Sequence, residues 1–286
     1  MSQRPAAFDL ARLALPGLIW GTSFLLIAEG LEAFPPSLIT PMRIGFGFLT
    51  LAFFARARQS LPRSDWARIV VLGVVWMAFP LSMFPFAETR VSSGVTGMLN
   101  GATPIFVAAI ATLIARRPPP RHQLIGLAVG SLGVALIALP TLDEGRSSGI
   151  GVALILSALA SYGVALNLAV PLIQRHGSLP VMWRTQAVAF VLTAPFAVRD
   201  VDNVEFRWQP FLAIAALGVF GTAMAYVLAA SNAARFGPTR ASITTYVIPV
   251  VAVVLGAVLR DERVFAIAVV GCLVTLLGAW LAGRRA

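Results

Sequence analysis

Ten apolar runs follow one another along this chain, separated only by short polar connections. They occupy residues 10–27, 37–54, 66–87, 93–115, 123–139, 149–173, 180–198, 210–231, 239–259 and 264–282. A helix needs roughly 20 residues to cross the hydrocarbon core of a bilayer, and each run is close to that length. Backbone groups in lipid must be paired internally, so each run is a helix or a strand of a closed barrel. Barrel strands are about ten residues long and alternate in polarity. These runs are longer and do not alternate. The pattern predicts an all-α integral membrane protein of ten transmembrane helices. In 286 residues that leaves no room for a large soluble domain. The first run follows Arg4 and Arg12 and looks like a secretion signal, but nine more runs come after it. It reads as an uncleaved first span.

Charge sharpens this reading. Only 12% of residues are charged, about half the share in a soluble protein, and mean hydropathy is +0.84. The net charge of +10 would suit nucleic acid, but its placement does not. All 22 basic residues are arginines, set singly or in pairs between apolar runs, as topology signals are. With the termini on the cytoplasmic side, the inner segments hold fourteen arginines and the outer ones six. That asymmetry predicts cytoplasmic N and C termini, with a lipid bilayer and not nucleic acid as partner. Ten of the twelve acids then lie outside. Cys272 is the single cysteine, inside an apolar run, so no internal disulfide forms. His122 and His176 read as solvated loop residues, and no metal-ligand spacing occurs.

The chain repeats itself. At an offset of 145 residues, Gly73 matches Gly218, Arg90 matches Arg235, Pro104 matches Pro249, Gly126 matches Gly271 and Gly133 matches Gly278. Upstream the offset drifts, setting Trp20-Gly21 against Tyr162-Gly163 and Arg43 against Arg184. Residues 1–145 and 146–286 therefore form two five-helix units. Five is odd, so the second unit enters the membrane inverted. Inverted repeats are an architecture of secondary transporters, with the substrate site near the midplane between the repeats.

Residues at that depth supply the candidates. Gly97, Asn100, Gly101 and Pro104 share one helical face, and Ser242, Thr245, Tyr246 and Pro249 share its counterpart. For Gly97, Gly101 and Ser242 close helix packing is the preferred reading. For Asn100, Thr245 and Tyr246, packing and substrate contact stand about even. Trp76, Phe79, Pro80 and Met83 share a face of the third run. Pro80, Pro104 and Pro249 lack a backbone donor and read as hinges or as static kinks. Trp20, Tyr162 and Tyr226 lie within spans, where their polar atoms favour a cavity over lipid. Trp66, Trp183 and Trp208 lie near span ends and read as interfacial belt residues. Arg43 reads as structural, snorkelling to headgroups or meeting an acid in the outer vestibule. No Asp, Glu, His or Lys falls in the middle third of a span, and Glu29 and Glu88 sit at outer ends. Intramembrane proton relays use such groups. Their absence argues for facilitated diffusion and against intramembrane hydrolase chemistry. A lysine-bearing phosphate loop is excluded, since the chain has no lysine. The expectation is a transporter, not an enzyme, and without a cofactor.

The motif WGTSF at Trp20–Phe24, Arg43 opening the second run, the repeated Pro–Gly–Gly spacing and Asp261-Glu262 before the last run carry a resemblance. The chain resembles the drug/metabolite transporter superfamily, in the branch with two EamA-type repeats, and within it the YddG-type exporters of aromatic amino acids. Where that pattern has an acid before the fifth helix, this chain has Arg117. The resemblance implies a central cavity between the first four helices of each repeat, in a multi-pass protein of a bacterial inner membrane. On that layout Trp20, Trp76, Phe79, Met83, Asn100, Tyr162, Tyr226, Thr245 and Tyr246 line the site. It implies export of neutral or aromatic amino acids and similar small metabolites by alternating access. The alternative within the same fold is a broad drug exporter or a metabolite importer.

Overall fold

The computed structural model describes residues 7–116, 120–143, 146–236 and 243–283. Arg4, Arg117, Arg240, Ser242, Arg284 and Arg285 lie outside them. Among the described residues every regular element is helical. In chain order they are α1 (Ala7–Gly30), α2 (Pro36–Ala52), α3 (Trp66–Leu72), α4 (Phe79–Glu88), α5 (Ser93–Asn100), α6 (Thr103–Ala115), α7 (Arg121–Asp143) and α8 (Arg146–His176). They continue with α9 (Ser178–Ala197), α10 (Trp208–Ala216), α11 (Ala225–Phe236), α12 (Ile243–Leu259) and α13 (Ala266–Gly283). Among the described residues seven helical segments are long and apolar enough to cross a membrane. Shorter apolar helices at Thr244–Leu259 and Ala266–Ala282 accompany them. Many large apolar side chains point outward, Leu113, Leu132, Leu273 and Val258 among them. Such a surface belongs in lipid.

Besides three short 3-10 segments, at Ala55–Arg58, Arg63–Asp65 and Val198–Asn203, two helical segments depart from the α form. Gly73–Ala78 between α3 and α4, and Leu217–Met224 between α10 and α11, are wound as π-helix. The wider π turn takes backbone groups out of the regular ladder and often marks a functional place. Here side chains take up some of those groups. Ser161 donates to the Val75 carbonyl at 2.6 Å, Trp20 Nε1 to Gly221 at 3.0 Å and Gln186 Nε2 to Thr222 at 2.8 Å. The first segment begins at Gly73 and the second has Gly218 as its second residue, the pair that the repeat aligns. A Cβ on Gly73 would lie 2.5 Å from Val188, and one on Gly218 2.4 Å from Phe46. Each glycine thus lets its segment press against a helix of the other repeat, α9 for the first and α2 for the second.

The repeat's remaining glycines explain the pairing of α7 with α13. A Cβ on Gly278 would stand 2.2 Å from the Gly130 nitrogen, and one on Gly133 2.4 Å from that of Thr275. No side chain fits, so the two backbones touch, as small residues allow in membranes.

Several loop-level expectations change. His176 is not solvated in a loop; it ends α8, and its Nε2 lies 2.8 Å from Oδ2 of the buried Asp65. His122 falls in the first turn of α7. Trp183 is no belt residue: it stacks on Phe48 at 5.2 Å, with its indole nitrogen buried and unpartnered. Trp66 and Trp208 are exposed at helix starts.

Candidate functional site

Two buried clusters meet inside the bundle. One gathers around Ile27, Ile39 and Ile155, the other around Ile44, Leu72 and Met77. Trp20 and Tyr162 pack against both. At that junction lies a cavity of about 530 Å³, within the range of small-molecule sites.

Of the sequence candidates, Trp20, Trp76, Asn100, Tyr162, Tyr226 and Thr245 line this cavity, as does Pro104. Trp20 meets Tyr226 edge-on with centroids 5.1 Å apart, and Trp76 meets the same ring at 5.9 Å. The Tyr162 and Tyr226 hydroxyls are 3.0 Å apart and share a hydrogen bond. Phe84, which sequence reasoning passed over, stacks on Tyr162 at 6.1 Å and completes the aromatic wall. Asn100 ends α5, and its side-chain oxygen lies 3.4 Å from the Thr103 hydroxyl. Its amide nitrogen bonds no described residue.

Phe79, Met83 and Tyr246 are not brought to the lining. Phe79 is 41% exposed on the outer surface, while Met83 and Tyr246 pack against the first cluster. Helical spacing put Phe79 on the Trp76 face, but the π turn between them breaks that register. Pro104 occupies the first turn of α6, where a missing donor leaves no broken bond; Pro80 instead follows directly on the first π segment, whose Val75 carbonyl accepts from Ser161. Pro249 lies inside α12, and Gly101 makes room for its ring. Gly97 likewise admits Ala252, so the two repeat-related faces pack on each other.

Arg43 is the main correction. It does not snorkel outward: it is 2% exposed, eighth in α2, and lines the cavity. Its Nε donates to Thr222 Oγ1 at 3.1 Å, on the second π segment. Ser23 and Asn167 also line the cavity. Asn167 donates to the Gly163 and Val107 carbonyls at 2.8 and 3.3 Å. A hint to Ser23 was its place in WGTSF; Asn167, one turn below Gly163, left no such trace.

The lining extends along α6 to Ala111, along α8 to Pro171, along α11 to Ala233 and along α13 to Ala282, toward the end where α1 begins and α13 ends. The opposite end is bridged across the repeats. Glu262 accepts from Ser93 N at 2.9 Å, Ser93 Oγ at 2.7 Å and Gly94 N at 2.8 Å, capping α5. Asp261 adopts a left-handed φ of 51°, and Glu262 N returns to the Gly256 carbonyl at 3.1 Å. Gly94 and Gly256 form the cradle: a Cβ on Gly256 would lie 2.4 Å from Glu262 Oε2. Beside it Arg260 joins Glu29 at 2.7 Å and Glu32 at 3.1 Å. Burial works to lower the Arg260 pKa, yet bonds to Glu32 and Glu29 outweigh it and raise it. Glu88, at the end of α4, has both carboxylate oxygens buried without a hydrogen-bond partner.

The sequence matches the EamA-like transporter family twice, over residues 10–139 and 149–284. It is 21% identical over 273 residues to an "Uncharacterized transporter" of Archaeoglobus fulgidus, covering 96% of this chain and 98% of that one. It is 25% identical over 279 residues to a "Probable terminal-alkyne amino-acid exporter" of Streptantibioticus cattleyicolor, covering 96% and 92%. A crystal structure shares the fold with a TM-score of 0.67 at 15% identity, covering 97% of this chain and 98% of the other. Two matched repeats, an all-helical bundle with an apolar exterior and a central cavity lead to one conclusion: the chain is a multi-pass membrane protein and belongs to the EamA-like transporter family.

Proposed function

We propose that the protein carries neutral and aromatic amino acids, and small metabolites like them, out of the cell by alternating access, without proton coupling. The observation that carries this reading is the aromatic cavity between the two repeats, with polar groups of Asn100, Thr245 and Arg43 on its wall. Apolar and aromatic cargo side chains match Trp20, Trp76 and Phe84, while the cargo's polar end matches the rest. Kinship with an exporter named for amino acids supports the same class. In this reading the chain crosses a bacterial inner membrane ten times as two inverted repeats, with both termini cytoplasmic. The cavity then faces the cytoplasm, and the Glu262 contact closes the outer side. No acid is among the cavity's lining residues, which supports movement down the cargo gradient. Pro80, Pro104 and Pro249 flank the segments that would move.

The test is uptake of labelled Trp, Phe, Thr and Ala into proteoliposomes, with and without an imposed pH gradient. Saturable uptake indifferent to the gradient is expected. Substitution of Asn100 by Ala lowers it while the protein still folds. Acceleration by a proton gradient would refute uniport and turn attention to Glu88. Transport of none of the four by folded protein would refute the amino-acid reading.

A further inference from the structure

Arg43 is a buried cation whose environment leaves most of it unanswered. Only Nε has a partner, the Thr222 hydroxyl. NH1 and NH2 bond no described residue, and no described carboxylate lies within the 4.0 Å of an ion pair. Glu88 is the acid whose field reaches it, but Glu88 neither pairs with it nor lines the cavity. The Tyr162 and Tyr226 hydroxyls, which also face its field, are bonded to each other. A charge held in a membrane bundle with a single neutral partner is costly and points to a function.

The repeat supplies an internal control. Arg184, the counterpart of Arg43, spends NH1 on the Ala57 and Pro180 carbonyls at 3.1 and 3.2 Å and lies over the Trp183 ring at 5.5 Å. It is absent from the cavity wall. One arginine of the pair is thus built into the scaffold, and the other is left open to the cavity. The space around Arg43 is prepared as well. Gly221 stands where any side chain would press on Ser23 Oγ at 3.0 Å and approach Arg43 NH2 at 3.9 Å. Trp20, bonded to the Gly221 carbonyl, fixes that backbone.

We propose that Arg43 is the carboxylate anchor of the cavity: its two free guanidinium nitrogens take the carboxylate of the cargo in a forked pair, and the apolar remainder lies against Trp20, Trp76 and Phe84. The guanidinium fork matches a carboxylate's two oxygens, which an ammonium does not. This rests on the reading of the cavity as the cargo site. It narrows the cargo to amino acids and related small carboxylic acids and excludes amines and esters of the same size.

The test is binding of radiolabelled phenylalanine to the purified full chain in nanodiscs, with competition by 3-phenylpropionate, phenethylamine and phenylalanine methyl ester. Removing one side of a buried charge pair typically weakens binding by about 30-fold or more. Phenethylamine and the ester are therefore expected to compete about 30-fold more weakly than phenylalanine, and 3-phenylpropionate to stay within that gap. Arg43→Gln loses binding by a similar factor, and Arg43→Lys recovers part of it, both at an unchanged melting temperature. If Arg43→Gln fails to fold, the competitor series on the wild type decides alone. Phenethylamine competing as well as phenylalanine, or an Arg43→Gln protein that binds like wild type, overturns the anchor and leaves the transporter reading intact. Wild type that binds none of these probes overturns the anchor together with the amino-acid reading.

Discussion

Removing the Glu262 carboxylate should open the closed end of the cavity. Its two oxygens accept three hydrogen bonds from Ser93 and Gly94 at 2.7–2.9 Å, at the first turn of α5. A hydrogen bond to a charged group contributes about 1.5–3 kcal/mol, and a carboxylate at a helix N-terminus about 0.3–1 kcal/mol more. The three bonds share one acceptor and do not add fully. Water can also re-solvate the freed N–H groups, since Glu262 is half-buried. A net loss of about 3 kcal/mol for Glu262→Ala follows, roughly a hundredfold in the closed-to-open ratio. Glu262→Gln keeps one acceptor oxygen and falls between. The assay uses a chain with Cys272→Ala and Ser23→Cys, labelled by a charged, membrane-impermeant thiol reagent in intact cells and in inverted vesicles. Reagent on the Glu262 side should modify Ser23→Cys roughly tenfold to a hundredfold faster once Glu262 is Ala. Rates within about twofold of the parent from both sides would refute the latch.

Three further outcomes follow from the packing. Gly278→Ala drives a Cβ to 2.2 Å from the Gly130 backbone, so α7 and α13 must part; a loss of about 1–3 kcal/mol should lower the melting temperature in detergent, whereas Leu273→Ala on the lipid face should not. Tyr226→Phe removes the hydroxyl that pairs with Tyr162 and should cost about 1 kcal/mol, read as a lower melting temperature together with weaker cargo binding. Asn232 is fully buried and exchanges bonds with Arg12 Nε at 3.1 Å and Arg12 O at 2.9 Å; Asn232→Ala should destabilise by about 1–3 kcal/mol, and Ser231→Ala, which touches only Arg12 NH2, by less.

The helices were legible because lipid leaves a chain only helices or a closed barrel to pair its backbone, and apolar runs this long exclude the barrel. The α7–α13 contact was half legible: Gly126, Gly133, Gly271 and Gly278 stood out as a repeat, though their spacing alone did not say that they meet each other. The site was read least well where it depended on azimuth and not on depth. Counting residues put Arg43 near an outer end, but which way a side chain points from α2 depends on Thr222, 179 residues away. Phe79 failed for a related reason. A π turn adds a residue without any change of composition, so the face shared by Trp76 and Phe79 existed only on an ideal helix. The one advance sign of both π segments was the aligned pair Gly73 and Gly218, and it reads equally as plain packing. Glu262 was noticed as a motif, yet its partners at Ser93 and Gly94 lie in the other repeat.

The differences between the repeats bear on how such a carrier would cycle. In an inverted-repeat carrier, the two states exchange the conformations of the halves, so whatever closes one end should have a counterpart at the other. Here the counterpart is missing in sequence: Glu262 aligns with Arg117, which cannot accept hydrogen bonds from a helix N-terminus. In such a cycle the end where α1 begins and α13 ends would close through other chemistry. Among the described residues, contacts there include Arg12 with the Asn232 amide and the buried Asp65 with His176 and Arg175, all made while the cavity extends toward that end. The two ends of the cavity are thus held by different contacts, Glu262 on the start of α5 at one and Asp65 with His176 and Arg12 with Asn232 at the other. If Arg43 anchors the cargo as proposed above, loading would also answer its guanidinium, of which only Nε has a partner among the described residues. A carboxylate that neutralises Arg43 removes a buried charge from the bundle, and the loaded protein can then cross more easily than the empty one. In the export reading proposed above, that difference would favour the loaded step, and the Glu262 contact would favour the return to the state seen here.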